Sequence, residues 1–179
     1  MNTLIHIPTT FAKTLRLIVI SRQERSRLAE LIATMALAGP FSIVAGSERL
    51  PSYKVARLLH DRTKAIKQIF NEAHIVRAPT CFQLIDLLEN TRPIPEPLLV
   101  LDFLHTFYDQ DIPMQVRMRI LSRCIAQLER LALSRMVTVL TEYMEGDDYV
   151  RFYPLLEHFA DKAIQIEREK ENDSQPSLF

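Results

Sequence analysis

Leu98-Leu99-Val100-Leu101-Asp102 is the stretch that decides the fold. Four apolar residues run without alternation and end on a carboxylate. Pro93, Pro95 and Pro97 before them keep 92–97 extended. A short unbroken apolar run of this kind reads as a strand buried on both faces, which places it in a parallel sheet covered by helices on either side. The same reading extends outward. Upstream, Phe41-Ser-Ile-Val-Ala45 is a second doubly buried strand, Leu15 to Ile20 a β-branched strand, and His74 to Arg77 a short one. Downstream, Met136 to Thr141 is another, and Asp161 to Glu167 alternates like an edge strand.

Helical patterns lie between these strands. Ser21 and Glu24 fit a capping box opening a helix to about Leu37, which Gly39-Pro40 stops. Ser52 is placed to cap one long helix from Tyr53 to about Asn71. Further helices are expected over Thr80–Asn90 and Gln115 to about Arg135, with Phe152–His158 a short helix or turn. The alternation predicts an α/β domain, a mostly parallel sheet with helices on both faces. It spans 14–167, preceded by an N-terminal arm (1–13) and followed by a polar tail (168–179) expected to be disordered.

Composition narrows the function classes. At 179 residues one domain is the default. Only three glycines are present, so neither GxGxxG nor a standard GxxxxGK[ST] loop can be written. Cys81 and Cys124 give no CxxC spacing and point to a reducing compartment without a disulfide framework. The longest charge-free stretch, Leu31–Ser47, is interrupted by Gly39-Pro40 and too short for a membrane span, so a cytoplasmic protein without membrane contact is expected. A net charge of zero hides a split, with 11 Lys/Arg against 4 Asp/Glu in residues 1–70, and 11 against 18 in residues 71–179. Such asymmetry suits a polyanion-binding face or two mutually attracting halves.

Ligands of parallel sheets sit at the carboxyl ends of strands, here Gly46 and its turn, Arg77, Asp102 and Thr141-Glu142. Asp102 is either a ligand-orienting or metal-linked carboxylate, or a turn-forming residue. His105, Asp109 and Asp111 follow in the same loop and with Asp102 can compose a Mg²⁺ or Mn²⁺ site, or simply a solvated acidic loop. Lys54, Arg57, Lys64 and Lys67 follow Ser52. Lys54, Arg57 and Lys64 on one helix face can track a phosphate backbone or form a solvated face. Arg117, Arg119, Arg123 and Arg130 read as mostly solvated surface. Phe103, Phe107 and Tyr108 can stack on bases, fill a partner pocket or pack inward.

The order of these pieces resembles the ATPase core of RecA-like recombinases, a P-loop-NTPase-type fold, over roughly residues 40–167. The carriers are a strand, turn and helix at 41–71, then Arg77-Ala78 followed by Gln83, then Leu98 to Asp102, a long helix, and a strand ending near Thr141. The resemblance implies that Leu98–Asp102 is the Walker B strand, whose Asp acts on Mg²⁺ through water. It also implies that the turn after the first strand of that series is the phosphate-binding loop, and that the core oligomerises. With Gly46 as the first loop position, Pro51 stands where the second Gly belongs, Ser52 replaces the Lys and Tyr53 the Ser/Thr. Gly46, Ser47, Glu48, Arg49, Ser52 and Tyr53 thus form a degenerate phosphate loop, and ATP with Mg²⁺ is expected only through a non-standard site.

The reading that follows is a non-catalytic RecA-like accessory protein of DNA recombination or repair, binding DNA, a protein partner or both. One alternative is a metal-dependent phosphodiesterase built on the Asp102–Asp111 loop. The other is a self-associating structural adaptor.

Overall fold

The computed structural model describes residues 14–47 and 49–166. The arm 1–13, Glu48 and residues 167–179, including the tail, lie outside the described residues. Six strands form one all-parallel sheet: β1 (Thr14–Ile20), β2 (Phe41–Ala45), β3 (Ala73–Arg77), β4 (Leu98–Leu101), β5 (Met136–Glu142) and β6 (Lys162–Ile166). Their order across the sheet is β3-β2-β4-β5-β1-β6. Six helices join them: α1 (Arg27–Ala38), α2 (Ser52–Arg62), α3 (Ile66–Glu72), α4 (Cys81–Asn90), α5 (Met114–Ala132) and α6 (Asp147–Phe159). The expected α/β domain with helices on both faces is what forms.

Side-chain alternation splits the core into two layers. Leu15, Leu17 and Val19 of β1, Leu98 and Val100 of β4, and Val137 and Val139 of β5 face α4, α5 and α6. Ile18, Ile20, Ile43, Leu99, Leu101 and Leu140 face α1 and α2. All four residues of β4 are fully covered, which explains their unbroken apolar run. β3 and β6 are the edges, each paired on one side only.

Connections from β1 and β2 leave over the α1–α2 face, and those from β4 and β5 over the α5–α6 face. Neighbouring strands β2 and β4 therefore diverge, as do β5 and β1. Crevices open at such divergences, outside the strands' carboxyl ends. Here the crevice edge is formed by the residues after Ile20, Ala45, Leu101 and Thr141.

Three local expectations are corrected. The residues after β1 do not form a capping box. Ser21 makes no side-chain capping bond, and Arg22–Ser26 wind as a 3₁₀ turn before α1 starts at Arg27. Glu24 turns to Arg27, at 2.6 Å, instead of back to Ser21. The long helix after Pro51 is two helices. Thr63 is extended and its hydroxyl accepts from the Ala65 N–H at 3.1 Å, a local bond that competes with helix continuation. Pro51, not Ser52, occupies the cap position of α2. Finally, Phe152–His158 lies inside the 13-residue α6, which carries Pro154 in its interior.

Gly46 is required by the close approach of two strands. Its N–H donates to the Leu101 carbonyl at 2.8 Å. A Cβ there would sit 2.6 Å from the Asp102 carbonyl oxygen and 2.8 Å from a methyl carbon of Thr106. Both belong to the segment directly after β4, Asp102 and the 3₁₀ turn Phe103–Phe107. Gly46→Ala is therefore expected to cost about 1–3 kcal/mol, the scale of overpacking in a dense interior. A lower urea midpoint at unchanged denaturant slope checks this.

Candidate functional site

The crevice at the carboxyl edge is organised by Arg25. The 3₁₀ turn after β1 aims its guanidinium across the sheet end. Nη1 donates to Asp102 Oδ1 at 2.9 Å and to Glu142 Oε2 at 2.9 Å, and Nη2 donates to Asp102 Oδ2 at 2.7 Å. Ser47 Oγ donates to Asp102 Oδ2 from the turn after β2. Arg49 approaches Glu142 at 3.6 Å. Turns from β1, β2, β4 and β5 thus meet on one fork of charge-assisted bonds.

Asp102 adopts φ 53°, ψ 39°, the only positive φ at a non-glycine residue among those described. Asp is among the residues that tolerate this left-handed conformation. It ends β4, opens the 3₁₀ turn Phe103–Phe107, and turns the carboxylate toward Arg25 and Ser47. Side-chain exposure is 8% for Asp102, 19% for Arg25 and 14% for Glu142. Burial pushes the Asp102 carboxyl up, but the Arg25 and Ser47 hydrogen bonds and the Arg25 charge outweigh it and hold the carboxyl below its ordinary value. The hydrogen bond to Asp102 leads the causes that raise Arg25, against the opposing effect of burial.

Beside this network lies a cleft of about 110 Å³, walled by Arg22, Arg49, His105, Tyr108, Thr141 and Met144 together with Ser47, Asp102 and Glu142. It is well below the roughly 300 Å³ at which small-molecule pockets begin. Three backbone N–H groups of the described turn after β2 are spent within the protein. The Gly46 N–H goes to Leu101, the Arg49 N–H to Ser47 Oγ at 3.2 Å and the Ser52 N–H to the Leu50 carbonyl at 2.8 Å, while Pro51 has none.

The expected phosphate-loop residues separate. Gly46, Ser47 and Arg49 lie at the crevice. Ser52 and Tyr53 begin α2, with Tyr53 81% exposed to solvent, and Glu48 is outside the described residues. Arg77 ends the edge strand β3, exposed, and makes none of the network's bonds. Of the Asp102 loop, His105 reaches the cleft, whereas Asp109 and Asp111 are exposed and Asp109 accepts from the Asp111 N–H at 3.0 Å. No group of three or more His, Cys, Asp or Glu side chains that could hold a metal occurs among the described residues. The Asp102 carboxylate faces a guanidinium instead.

Lys54, Arg57, Lys64 and Lys67 are all exposed, but the break at Thr63 puts the first two on α2, Lys64 in the break and Lys67 on α3. The single shared face expected for Lys54, Arg57 and Lys64 is not formed. Phe103 and Phe107 are fully buried and unavailable for stacking; Tyr108 packs on Phe152. Arg117 is not solvated surface. It is 5% exposed, donates to the Phe107 carbonyl at 2.8 Å and to Asp148 at 2.6 Å, and lies 5.6 Å from the Phe152 ring centre. Cys81 and Cys124 are free and buried, and burial pushes both thiols up, away from nucleophilic use.

Arg25 was missing from the sequence-based set, whereas Glu142 was named there only as a strand end. The available signal was Ser21-Arg-Gln-Glu-Arg25 directly after a buried strand, a fifth carboxyl end with charges no core can absorb. No protein-family model matches the chain, and no curated protein matches it. No helix among the described residues is long and apolar enough to cross a membrane.

Asp102 contributes stability that is complete above its ordinary value of about 3.9 and lost as pH falls through the lower native value. Arg25→Ala removes the guanidinium from Asp102 and leaves Glu142 with Arg49 alone, at 3.6 Å. The expected loss is about 2–4 kcal/mol at pH 7, the lower part of the range for breaking a buried pair because the pair is partly exposed. It should shrink toward pH 4, where the unpaired Asp102 carboxylate takes up a proton. Urea denaturation of both proteins from pH 4 to 7 measures it, and a pH-independent loss would reduce Arg25 to a packing role.

Proposed function

We propose that this chain is a RecA-like domain that works by binding and not by nucleotide chemistry, an accessory protein of DNA recombination or repair that contacts DNA, a protein partner or both. The observation that carries this reading is the Arg25 guanidinium on Asp102. Phosphoryl transfer is almost wholly positioning and electrostatics, with a carboxylate at a strand end helping to hold Mg²⁺ against the phosphates. Asp102 has the strand position for that task, but both its oxygens are engaged by a tethered cation. Arg25 fills electrostatically the place a metal ion would take.

Two further features support the reading. The turn after β2 spends the N–H groups of Gly46, Arg49 and Ser52 on the protein itself. The cleft beside Asp102 holds about 110 Å³, below the roughly 300 Å³ at which small-molecule pockets begin. Neither ATP nor Mg²⁺ is therefore expected as a cofactor.

A ligand that binds only the folded state raises its melting temperature by mass action. Millimolar ATP with Mg²⁺ is expected to leave the melting temperature of the full chain within about 1 °C of its value without nucleotide, with no phosphate released. A nucleotide-dependent rise, or hydrolysis that disappears in Asp102→Asn, would overturn the proposal.

A further inference from the structure

We propose that the α2–α3 segment is a binding surface for single-stranded nucleic acid, with Tyr53 as the platform on which an unpaired base stacks. The inference rests on the reading of the chain as a binding protein and assigns the place and the partner. It lies away from the Arg25–Asp102 crevice, where the strand-end rule would have put it.

The charge is the first observation. Residues 49–67 hold Arg49, Lys54, Arg57, Arg62, Lys64 and Lys67 against the single carboxylate Asp61. Arg62 is engaged by Glu30 at 2.7 Å and Arg49 reaches Glu142 at 3.6 Å. Lys54, Arg57, Lys64 and Lys67 are exposed and form no salt bridge among the described residues. Four unneutralised cations on one short stretch suit a polyanion.

The second observation is Tyr53. At 81% it is the most exposed large apolar side chain described, and its ring makes no aromatic contact. It lies one turn before Arg57, so ring and guanidinium share a helix face, with Lys54 adjacent in sequence. A flat ring bordered by cations is the arrangement that holds single strands, because an unpaired base offers its face while the backbone meets the charges.

Two rival partners fit less well. A duplex keeps its base faces stacked on one another and offers Tyr53 no partner. The straight run here is also only the 11 residues of α2 before the break at Thr63. A lipid surface needs an apolar stripe to insert, but Val55 and Leu59 of α2 are buried in the core, and on α3 Phe70 alone among the large apolar side chains is exposed, at 44%.

The test is fluorescence anisotropy of the full chain with a labelled oligothymidylate, the duplex of equal length and labelled anionic vesicles, from low to moderate salt and without ATP. Single-strand binding is expected to weaken with salt, with a logarithmic slope of about −2 to −3 for three or four phosphate contacts. Tyr53→Ala should weaken it about 5- to 100-fold at unchanged slope, and Tyr53→Phe should retain it. Lys54→Gln and Arg57→Gln should each make the slope shallower by about 0.7. These side chains are exposed, so circular dichroism should show an unchanged fold. The assignment is overturned if no single strand binds, if binding ignores Tyr53→Ala, or if duplex or vesicles bind equally well. Any of these leaves the reading of a binding protein without nucleotide chemistry standing. That reading fails instead on nucleotide-dependent stabilisation, which would not touch the Tyr53 result.

Discussion

Four strand ends of this domain converge on one guanidinium. Arg25 holds Asp102 through both nitrogens of its fork and reaches Glu142 with one of them, so the turns after β1, β4 and β5 are tied to a single planar group. Ser47 joins from the turn after β2. Much of the local geometry depends on this. The 3₁₀ winding of Arg22–Ser26 sets where Arg25 points, and the left-handed backbone of Asp102 sets where its carboxylate faces. The missing side chain of Gly46 lets the end of β2 close against the carbonyls of β4. Partly buried charges of this kind are stable only when each is paired and hydrogen-bonded, and here the pairing is nearly complete.

A second, buried arginine plays a similar part on the opposite layer. Arg117 links α5 to the loop after β4 and to the first turn of α6 through Phe107 and Asp148. The two arginines hold the irregular segments that follow β4 and β5 from either side of the sheet. The short 3₁₀ turn after β4 makes few backbone bonds of its own, and the side-chain donors add to them. A strand-end region closed in this way is suited to rigidity. The exposed cations and Tyr53 lie elsewhere, on helices packed over the α1–α2 face.

The regular elements were legible because burial on a sheet writes a plain pattern. Leu98–Leu101 and Phe41–Ala45 are apolar runs because both faces are covered, and the Lys162–Ile166 alternation marks an edge. The site was legible only in part. Asp102 and Ser47 stood out by position at strand ends. Arg25 did not, because its role depends on a 3₁₀ turn whose charged sequence also reads as an ordinary helix start. The break at Thr63 was equally hidden, since one hydroxyl bond to the Ala65 N–H outweighs an otherwise helical pattern. Arg117 stands three, four and seven residues before Ile120, Leu121 and Cys124, on the apolar stripe of α5, but its charge reads as surface until Phe107 and Asp148 are seen to receive it.

The sequence by itself determined the α/β class, the strands and most helices, and the absence of a standard phosphate loop. Each of these follows from local periodicity or from the chemistry of single residue types. Only the tertiary structure decided the strand order, and with it that the turn after β1 faces Asp102. The physical reason is that side chains 77 residues apart along the chain can form a bidentate ion pair only once the sheet has set their strands two places apart. No local pattern encodes that distance.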